Sequence, residues 1–214
     1  MIVHHFTTPI TTPFARKSTQ IYGNLRRLWE KAKIKESAKK PEITGLCRLI
    51  KGYKIMIKVL FVCHGNICRS PMAEYIFKDM VKREGLSDQF QIASAATSME
   101  EIGNPVYPPA KRKLAEYGIR AEGHHARRME RRDYEEYDYL VAMEQFNIRN
   151  MMRILGSDPK QKVYRLLDFT GQPGDIDDPW YTDDFETAYQ EILKGCKGLL
   201  IFLEKADDKK GDRK

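Results

Sequence analysis

The residue types that could do chemistry are concentrated in residues 63–70, which read Cys-His-Gly-Asn-Ile-Cys-Arg-Ser. A cysteine thiolate is a strong nucleophile, and the planar guanidinium of an arginine can hold two phosphate oxygens at once. Cys63 and Arg69 lie near the two ends of this run, so both could face the same anion. The run therefore predicts a phosphate-binding loop that holds a nucleophile, Cys63, and an anion-binding group, Arg69.

The other residues of the run suit such a loop. Gly65 removes side-chain bulk where the backbone must approach a ligand, and Asn66 tolerates a left-handed conformation. Ser70 is expected to cap the helix that Pro71 opens, because a hydroxyl and an early proline are common at that end of a helix. Loop N–H groups and a helix N-terminus attract an anion and favour a thiolate. We therefore expect Cys63 to be an activated nucleophile.

Four short apolar runs alternate with four helical patterns after residue 56. The runs at 59–62, 90–95, 139–143 and 162–166 predict strands. The patterns at 71–84, 109–117, 144–155 and 183–205 predict helices. This alternation indicates an α/β fold, a doubly wound four-stranded parallel sheet with helices on both faces. The loop at 63–70 would then join the first strand to the first helix, at the sheet edge where such folds bind ligands.

The positive charge of the chain belongs to its first 55 residues. The 214 residues have a formal charge of +7, but residues 1–55 carry twelve Lys and Arg against three Glu, a balance of +9. The remainder is −2, so we expect no nucleic-acid partner. We interpret 1–55 as a basic N-terminal extension, poorly ordered or upstream of a biological start at Met56. The alternative is a targeting or docking segment. Residues 56–205 would form the compact domain and 206–214 a charged tail.

Composition excludes several classes of protein. An apolar content of 42% is typical of a globular chain, and no apolar run reaches the roughly 18 to 20 residues that a bilayer requires. The four cysteines are too few and too scattered for a secreted disulfide scaffold, and their spacing indicates no structural metal site. We therefore expect a cytoplasmic protein without a metal, a cofactor or a membrane partner, present as a monomer or a weak homodimer.

A buried strand followed by Cys-x5-Arg-Ser is the signature of the cysteine phosphatases, and residues 63–71 resemble the low-molecular-weight protein tyrosine phosphatases in detail. The resemblance extends from Met56 to about Lys205. It includes Ser-Ala-Ala-Thr-Ser at 94–98, His-His-Ala-Arg at 124–127 and Asp-Pro-Trp-Tyr at 178–181. It implies hydrolysis of phosphotyrosine in protein substrates, in two steps that pass through a phosphocysteine on Cys63.

The resemblance also implies roles for residues outside the nucleophile. Asp178 stands at the position of the general acid, which would protonate the leaving phenolate and then activate water, a contribution of about 10² to 10⁴ in rate. Arg69 and the loop N–H groups would hold the phosphoryl oxygens, and Ser70 would stabilise the thiolate. The phosphate-binding loop would comprise His64, Gly65, Asn66, Ile67, Cys68 and Ser70, and the residues bracing it would be Asn66, Ser94 and His124.

The same resemblance predicts the walls of the substrate slot. Trp180 and Tyr181 follow the acid and would stack on a phenyl ring, which favours phosphotyrosine over phosphoserine. On the opposite wall this chain has Glu100, where animal members commonly carry Trp, so its peptide preference is left open.

Several of these residues have a second interpretation. Asp178 could be only a turn former before Pro179. His124 could be a structural histidine, or His125 could be the matching residue. Cys68 could fill the core, or it could form a reversible disulfide with Cys63 that protects the nucleophile from irreversible oxidation. The basic run of Arg127, Arg128, Arg131 and Arg132 is interpreted as a solvated helix face.

Three other functions remain open from the sequence. A sister branch of the family removes phosphate from arginine and typically has Thr where this chain has Ile67, so Ile67 favours the tyrosine branch. Arsenate reductases share the nucleophile loop but need two further downstream cysteines, and only Cys196 lies downstream. A catalytically dead phosphotyrosine binder is disfavoured because the nucleophile, the arginine and the acid are all retained.

Overall fold

The computed structural model of the protein describes the backbone of residues 56–211 and the side chains as far as residue 204. The predictions for the extension at 1–55 lie outside the described residues, as do those for the side chains of the tail at 206–214. None of the helices within the described part combines the length and the apolar character needed to cross a membrane.

Four parallel strands form one sheet in the order β2-β1-β3-β4. Their bounds are Ile57–Cys63 for β1, Phe90–Ala96 for β2, Tyr139–Ala142 for β3 and Val163–Arg165 for β4. Because β1 has β2 on one side and β3 on the other, the strand order reverses at β1. In a doubly wound sheet a ligand binds beyond the carboxyl end of the strand at such a reversal. Cys63 is the last residue of that strand.

Within residues 56–211, six helices connect and cover the strands. They are α1 (Arg69–Arg83), α2 (Pro108–Glu116), α3 (Arg131–Glu136), α4 (Gln145–Leu155), α5 (Pro179–Thr182) and α6 (Phe185–Gly211). Two short 3₁₀ turns, Ser87–Gln89 and Leu166–Phe169, precede β2 and follow β4. The predicted helix at 183–205 begins later, because Asp183 has a left-handed φ of 55° that ends α5.

The central strand is buried on both faces. Val59 and Phe61 pack with α1, α2 and α6 on one side of the sheet, whereas Leu60 and Val62 pack with α3 and α4 on the other. All four side chains are fully buried. A parallel strand covered by helices on both sides reads as a continuous apolar run, which is how β1 appears in the sequence. The predicted α/β fold, with helices on both faces of a four-stranded parallel sheet, is confirmed.

The interpretation of the basic run as a solvated helix face holds for Arg131 and Arg132, which are exposed on α3, and is wrong for Arg127 and Arg128. Arg127 and Arg128 precede α3, and Arg128 forms an isolated parallel bridge with Ala96 at the end of β2. The guanidinium of Arg127 donates to both carboxylate oxygens of the buried Asp133, at 3.0 and 3.1 Å. Arg127 and Arg128 therefore fasten this loop to α3 and to the sheet. The six residues of α3 were not predicted because so short a helix shows no clear periodicity.

Candidate active site

The sulfur of Cys63 lies at the end of β1, buried beneath the loop that leads into α1. The backbone N–H of Asn66 donates to Cys63 Sγ at 3.3 Å, and Ser70 Oγ lies 3.0 Å from the same sulfur. The carbonyl of Cys63 accepts from Thr97 N at 2.9 Å, which fixes the end of β1 against the end of β2. Two hydrogen-bonding groups therefore converge on a sulfur whose own backbone is held in place.

Ser70 does not cap the helix, contrary to the sequence prediction. Helix α1 begins at Arg69, and its N-cap position is Cys68, which makes no side-chain cap. Ser70 Oγ accepts instead from Asn66 Nδ2 at 2.9 Å. The hydroxyl hydrogen is then free to point at Cys63 Sγ, since its other acceptor, the carbonyl of Ala95, is more distant at 3.5 Å. Because a thiolate can only accept, the serine would be the donor to Cys63 in its thiolate form.

Asn66 holds the loop from within. Its φ of 60° lies in the left-handed region, which asparagine tolerates better than most residues. Its fully buried side chain donates to Ser70 Oγ and to Ser94 Oγ at 2.8 Å, and its Oδ1 accepts from Arg127 N at 3.1 Å. These three contacts reach α1, β2 and the segment before α3. One side chain thus fixes the loop to three parts of the fold.

Ser94 and His124 support this asparagine from outside the loop. Ser94 Oγ donates to Glu74 Oε2 at 2.5 Å. The Nε2 of His124 lies 2.8 Å from the carbonyl oxygen of Asn66, and it must be the donor because a carbonyl only accepts. His125 is exposed and lies near the carbonyl of Gly103 instead, so His124 is the histidine that contacts the loop.

Arg69 is almost completely buried and faces two carboxylates. Its Nη1 donates to the carbonyl of Ile176 at 2.9 Å, and its Nη2 pairs with Glu144 Oε1 at 2.8 Å and with Asp178 Oδ2. Burial alone would lower the pKa of Arg69, but the negative charges of Cys63 and the two carboxylates raise that pKa above its usual value. The Nε of Arg69 is buried and has no hydrogen-bond partner among the described residues. It is a donor that a bound anion could satisfy.

Asp178 makes two contacts at once. One oxygen pairs with Arg69, while the other accepts from Trp180 N at 3.1 Å and so caps the short helix α5. Pro179 is the first residue of that helix, the position at which proline fits best. The interpretation of Asp178 as a turn former is therefore compatible with its place beside Arg69.

The rim of the site is aromatic on one side. The ring of Trp180 is half exposed and lies 5.0 Å from that of Tyr107, centroid to centroid. Tyr107 is fixed to the loop, since its N–H donates to the carbonyl of Ile67 at 2.8 Å. Tyr181 is 84% exposed.

A polar pair lies on the loop as well. His64 Nε2 and Glu100 Oε2 are 3.0 Å apart, and the ring of Phe146 lies 6.5 Å from that of His64. Glu100 is therefore next to the loop at 63–70.

Two loop residues are fixed by space and burial. A Cβ on Gly65 would lie 3.1 Å from Glu101 Cγ, so the crowding at this glycine comes from a neighbouring side chain. Cys68 is buried, and burial, together with the charge on Cys63, raises the pKa of the Cys68 thiol well above its ordinary value. Neither cysteine is in a disulfide here.

Three residues of the site were missed in the sequence: Glu74, Tyr107 and Glu144. Glu144 contacts Arg69 across 75 residues of chain, and it could have been suspected because it directly follows the predicted third strand. Glu74 lies on α1 one turn after Ser70, so helical spacing places it near the loop. Nothing in the sequence singles out Tyr107. Within residues 56–204, no group of three His, Cys, Asp or Glu side chains is placed to hold a metal ion.

The sequence and the fold have counterparts among known proteins. The profile described as "Low molecular weight phosphotyrosine protein phosphatase" matches residues 58–210. Low molecular weight protein-tyrosine-phosphatase YfkJ of Bacillus subtilis is 40% identical over 152 residues, 70% of this chain and 97% of the relative. The Rattus norvegicus low molecular weight phosphotyrosine protein phosphatase is 41% identical over 147 residues, 66% of this chain and 92% of the relative.

Solved structures give the same picture. The crystal structure of YfkJ superposes with a TM-score of 0.70 at 39% identity, covering 72% of this chain and 99% of that one. A Drosophila arginine phosphatase superposes with a TM-score of 0.63 at 31% identity, covering 69% and 98%. These matches cover nearly the full length of the relatives. The strand order that reverses at Cys63 and the loop around its sulfur are consistent with them. The chain belongs to the low molecular weight phosphotyrosine protein phosphatases, a family of hydrolases.

Proposed function

We propose that the protein hydrolyses phosphotyrosine in protein substrates, with Cys63 as the nucleophile and Asp178 as the general acid and base. The observation that supports this most strongly is the convergence of Asn66 N and Ser70 Oγ on Cys63 Sγ, with Arg69 buried beside it. Donors aimed at a sulfur stabilise its thiolate, and a cationic fork next to a thiolate attracts a phosphate.

In the first step, Cys63 Sγ attacks phosphorus and the bond between phosphorus and the phenolic oxygen breaks. The departing oxygen takes the proton of Asp178, so tyrosine leaves in its neutral form. The loop N–H groups and Arg69 hold the three non-bridging oxygens while charge redistributes among them. Because the loop backbone is fixed before the substrate arrives, its N–H groups lower the barrier without reorganising.

In the second step, water attacks the phosphocysteine and Asp178, now a carboxylate, takes a proton from that water. The bond between sulfur and phosphorus breaks, which returns the thiolate of Cys63 and releases inorganic phosphate. Ser70 Oγ donates to the sulfur as it regains negative charge. The same serine therefore makes Cys63 a better leaving group.

The pairing of Arg69 with Asp178 suggests how substrate binding prepares the acid. In the free protein, Asp178 neutralises part of the charge of Arg69. A phosphate dianion would compete for the same Nη2 and for the unpaired Nε. Once displaced from Arg69, the carboxyl of Asp178 would be released to face the leaving oxygen, as the first step requires.

The rim supports an aromatic substrate. Trp180 and Tyr107 offer ring surface next to the loop, and stacked or tilted aromatic contacts contribute about 0.5 to 1.5 kcal/mol beyond area burial. Tyr181 and Glu100 are exposed enough to contact the flanking peptide. The cytoplasmic location and the monomer or weak homodimer remain predictions.

Arginine dephosphorylation is the second candidate, because a Drosophila arginine phosphatase shares this fold at 31% identity. Ile67 argues for tyrosine, since its buried, apolar side chain offers no hydrogen bond to a guanidinium. Arsenate reduction is less well supported, because Cys196 is completely buried within α6 and could not relay electrons without local unfolding.

Hydrolysis of two matched peptides, one with phosphotyrosine and one with phosphoarginine, tests the proposal. We expect turnover of the phosphotyrosine peptide by the wild type and none by Cys63→Ser, under reducing conditions. A preference for phosphoarginine would move the protein to the second candidate. Equal turnover by Cys63→Ser would rule out the nucleophile.

A further inference from the structure

We propose that Asp175 is a positioning residue for the general acid: it fastens the loop that bears Asp178 to α4 and to Arg165. This inference rests on the proposed function, because it assigns Asp175 a role only if Asp178 donates a proton. It concerns a stretch in which Asp175, Asp177 and Asp178 lie close together and cannot be told apart by residue type.

The carboxylate of Asp175 completes the N-terminus of α4. Its Oδ1 accepts from Gln145 N at 3.0 Å. The first N–H groups of a helix lack partners within the helix, and a negative group there is favourable. Glu144, the N-cap residue, makes no cap with its own side chain, because that side chain turns toward Arg69. Asp175 therefore supplies the cap from another loop.

The same oxygen of Asp175 also accepts from Arg165 Nη1 at 2.9 Å. Arg165 is the last residue of β4, and its Nε donates to Asp168 Oδ1 at 3.1 Å. The guanidinium is thus held on one side before it meets Asp175. A side chain that is already fixed can fix its partner with little further loss of freedom.

The residues between Asp175 and Asp178 transmit this attachment. Ile176 is fully buried, its N–H donates to the carbonyl of Met143, and its carbonyl accepts from Arg69 Nη1, both at 2.9 Å. Asp178 follows two residues later. The loop is therefore anchored to α4 and β4 just before it presents the acid. A displacement of about 1 Å at an acid can cost about 100-fold in rate.

Asp177 provides a matched control. It is exposed and, among residues 56–204, makes no hydrogen bond or ion pair. It has the same charge as Asp175 and lies between that residue and the acid, so its removal changes the local charge equally without releasing the loop.

The test compares Asp175→Ala with Asp177→Ala on two substrates, phosphotyrosine and 2,4-dinitrophenyl phosphate. The value of kcat/KM reports the steps through departure of the leaving group, and only the tyrosine phenolate needs a proton to leave. We expect Asp175→Ala to lower kcat/KM about 10-fold on phosphotyrosine and less than about 2-fold on the dinitrophenyl ester. The 10-fold loss is smaller than the full contribution of a general acid, because Asp178 itself is still present. Asp177→Ala should match the wild type on both.

Further variants separate the possible failures. Asp175→Asn keeps an acceptor at the same place, so it should fold and show a smaller loss of the same kind. Asp178→Ala should show the leaving-group difference in full; without it, the acid assignment falls, and the role of Asp175 with it. Suppose that Asp178→Ala loses more kcat/KM on phosphotyrosine than on the dinitrophenyl ester, but that both Asp175 variants lose nothing or lose equally on the two substrates. The role of Asp175 alone is then overturned.

Discussion

Replacement of Asn66 should damage both the fold and the catalytic loop, because one buried side chain makes three hydrogen bonds there. A hydrogen bond contributes about 0.5 to 1.5 kcal/mol net, so losing three costs about 1.5 to 4.5 kcal/mol in the free energy of unfolding. Alanine adds about 1 to 2 kcal/mol because φ at this position is 60°. Glycine adopts that φ without such strain.

Two variants therefore separate the two contributions. Asn66→Gly should lose only the hydrogen bonds, and Asn66→Ala should be less stable than Asn66→Gly by the additional strain. Equilibrium unfolding in urea measures both differences. Asn104→Ala is the control, because Asn104 is exposed and its side chain makes one hydrogen bond, to Glu101.

The effect on catalysis follows from the same geometry. Without Asn66 Nδ2, Ser70 Oγ is no longer held and its hydrogen can turn away from Cys63. We expect kcat/KM for phosphotyrosine to fall about 100-fold in Asn66→Gly, the scale of a misplacement near 1 Å. Wild-type stability together with wild-type kcat/KM in Asn66→Gly would refute the view that this side chain organises the loop.

Two further predictions concern the neighbours of the nucleophile. Glu144→Gln should lower kcat/KM about 10-fold, because Arg69 loses one of the charges that orient it; the exposed Glu84→Gln is the control, and equal activity of the two variants would contradict the role of Glu144. Cys68 should resist iodoacetate at pH 7 while Cys63 is alkylated, because the raised pKa of Cys68 keeps its thiol neutral. Mass spectrometry that finds Cys68 labelled before Cys63 would refute this prediction. The raised pKa also affects stability: because Cys68 in the unfolded chain ionises near pH 9, its contribution to the free energy of unfolding should be complete below that pH and decline above it.

The fold was predictable where the signal was local. The apolar run of β1 is read directly because residues 59–62 are buried on both faces of the sheet and are all apolar. The loop was equally clear, because the types and spacing of Cys63 and Arg69 have few other uses. Helix α5 was not predicted, and the start of α6 was missed by two residues, since both depend on a left-handed Asp183 that no periodicity reveals.

The contacts that complete the site could not be read in the same way. Glu144 and Asp175 meet their partners only because the sheet brings the ends of β1, β3 and β4 to one edge. Strand order was not derivable from the alternation of strands and helices. Ser70 was expected as a helix cap because residue type alone does not say which of two nearby acceptors a hydroxyl will face.

The central claim, that Cys63 is the nucleophile, is tested most directly by trapping the intermediate. The protein is mixed with a phosphotyrosine peptide, quenched in acid within the first turnover, digested and examined by mass spectrometry. We expect one phosphoryl group on Cys63, none on Cys68, and none in Cys63→Ser. Phosphate on a different residue, or continued turnover of phosphotyrosine by Cys63→Ser, would contradict the account.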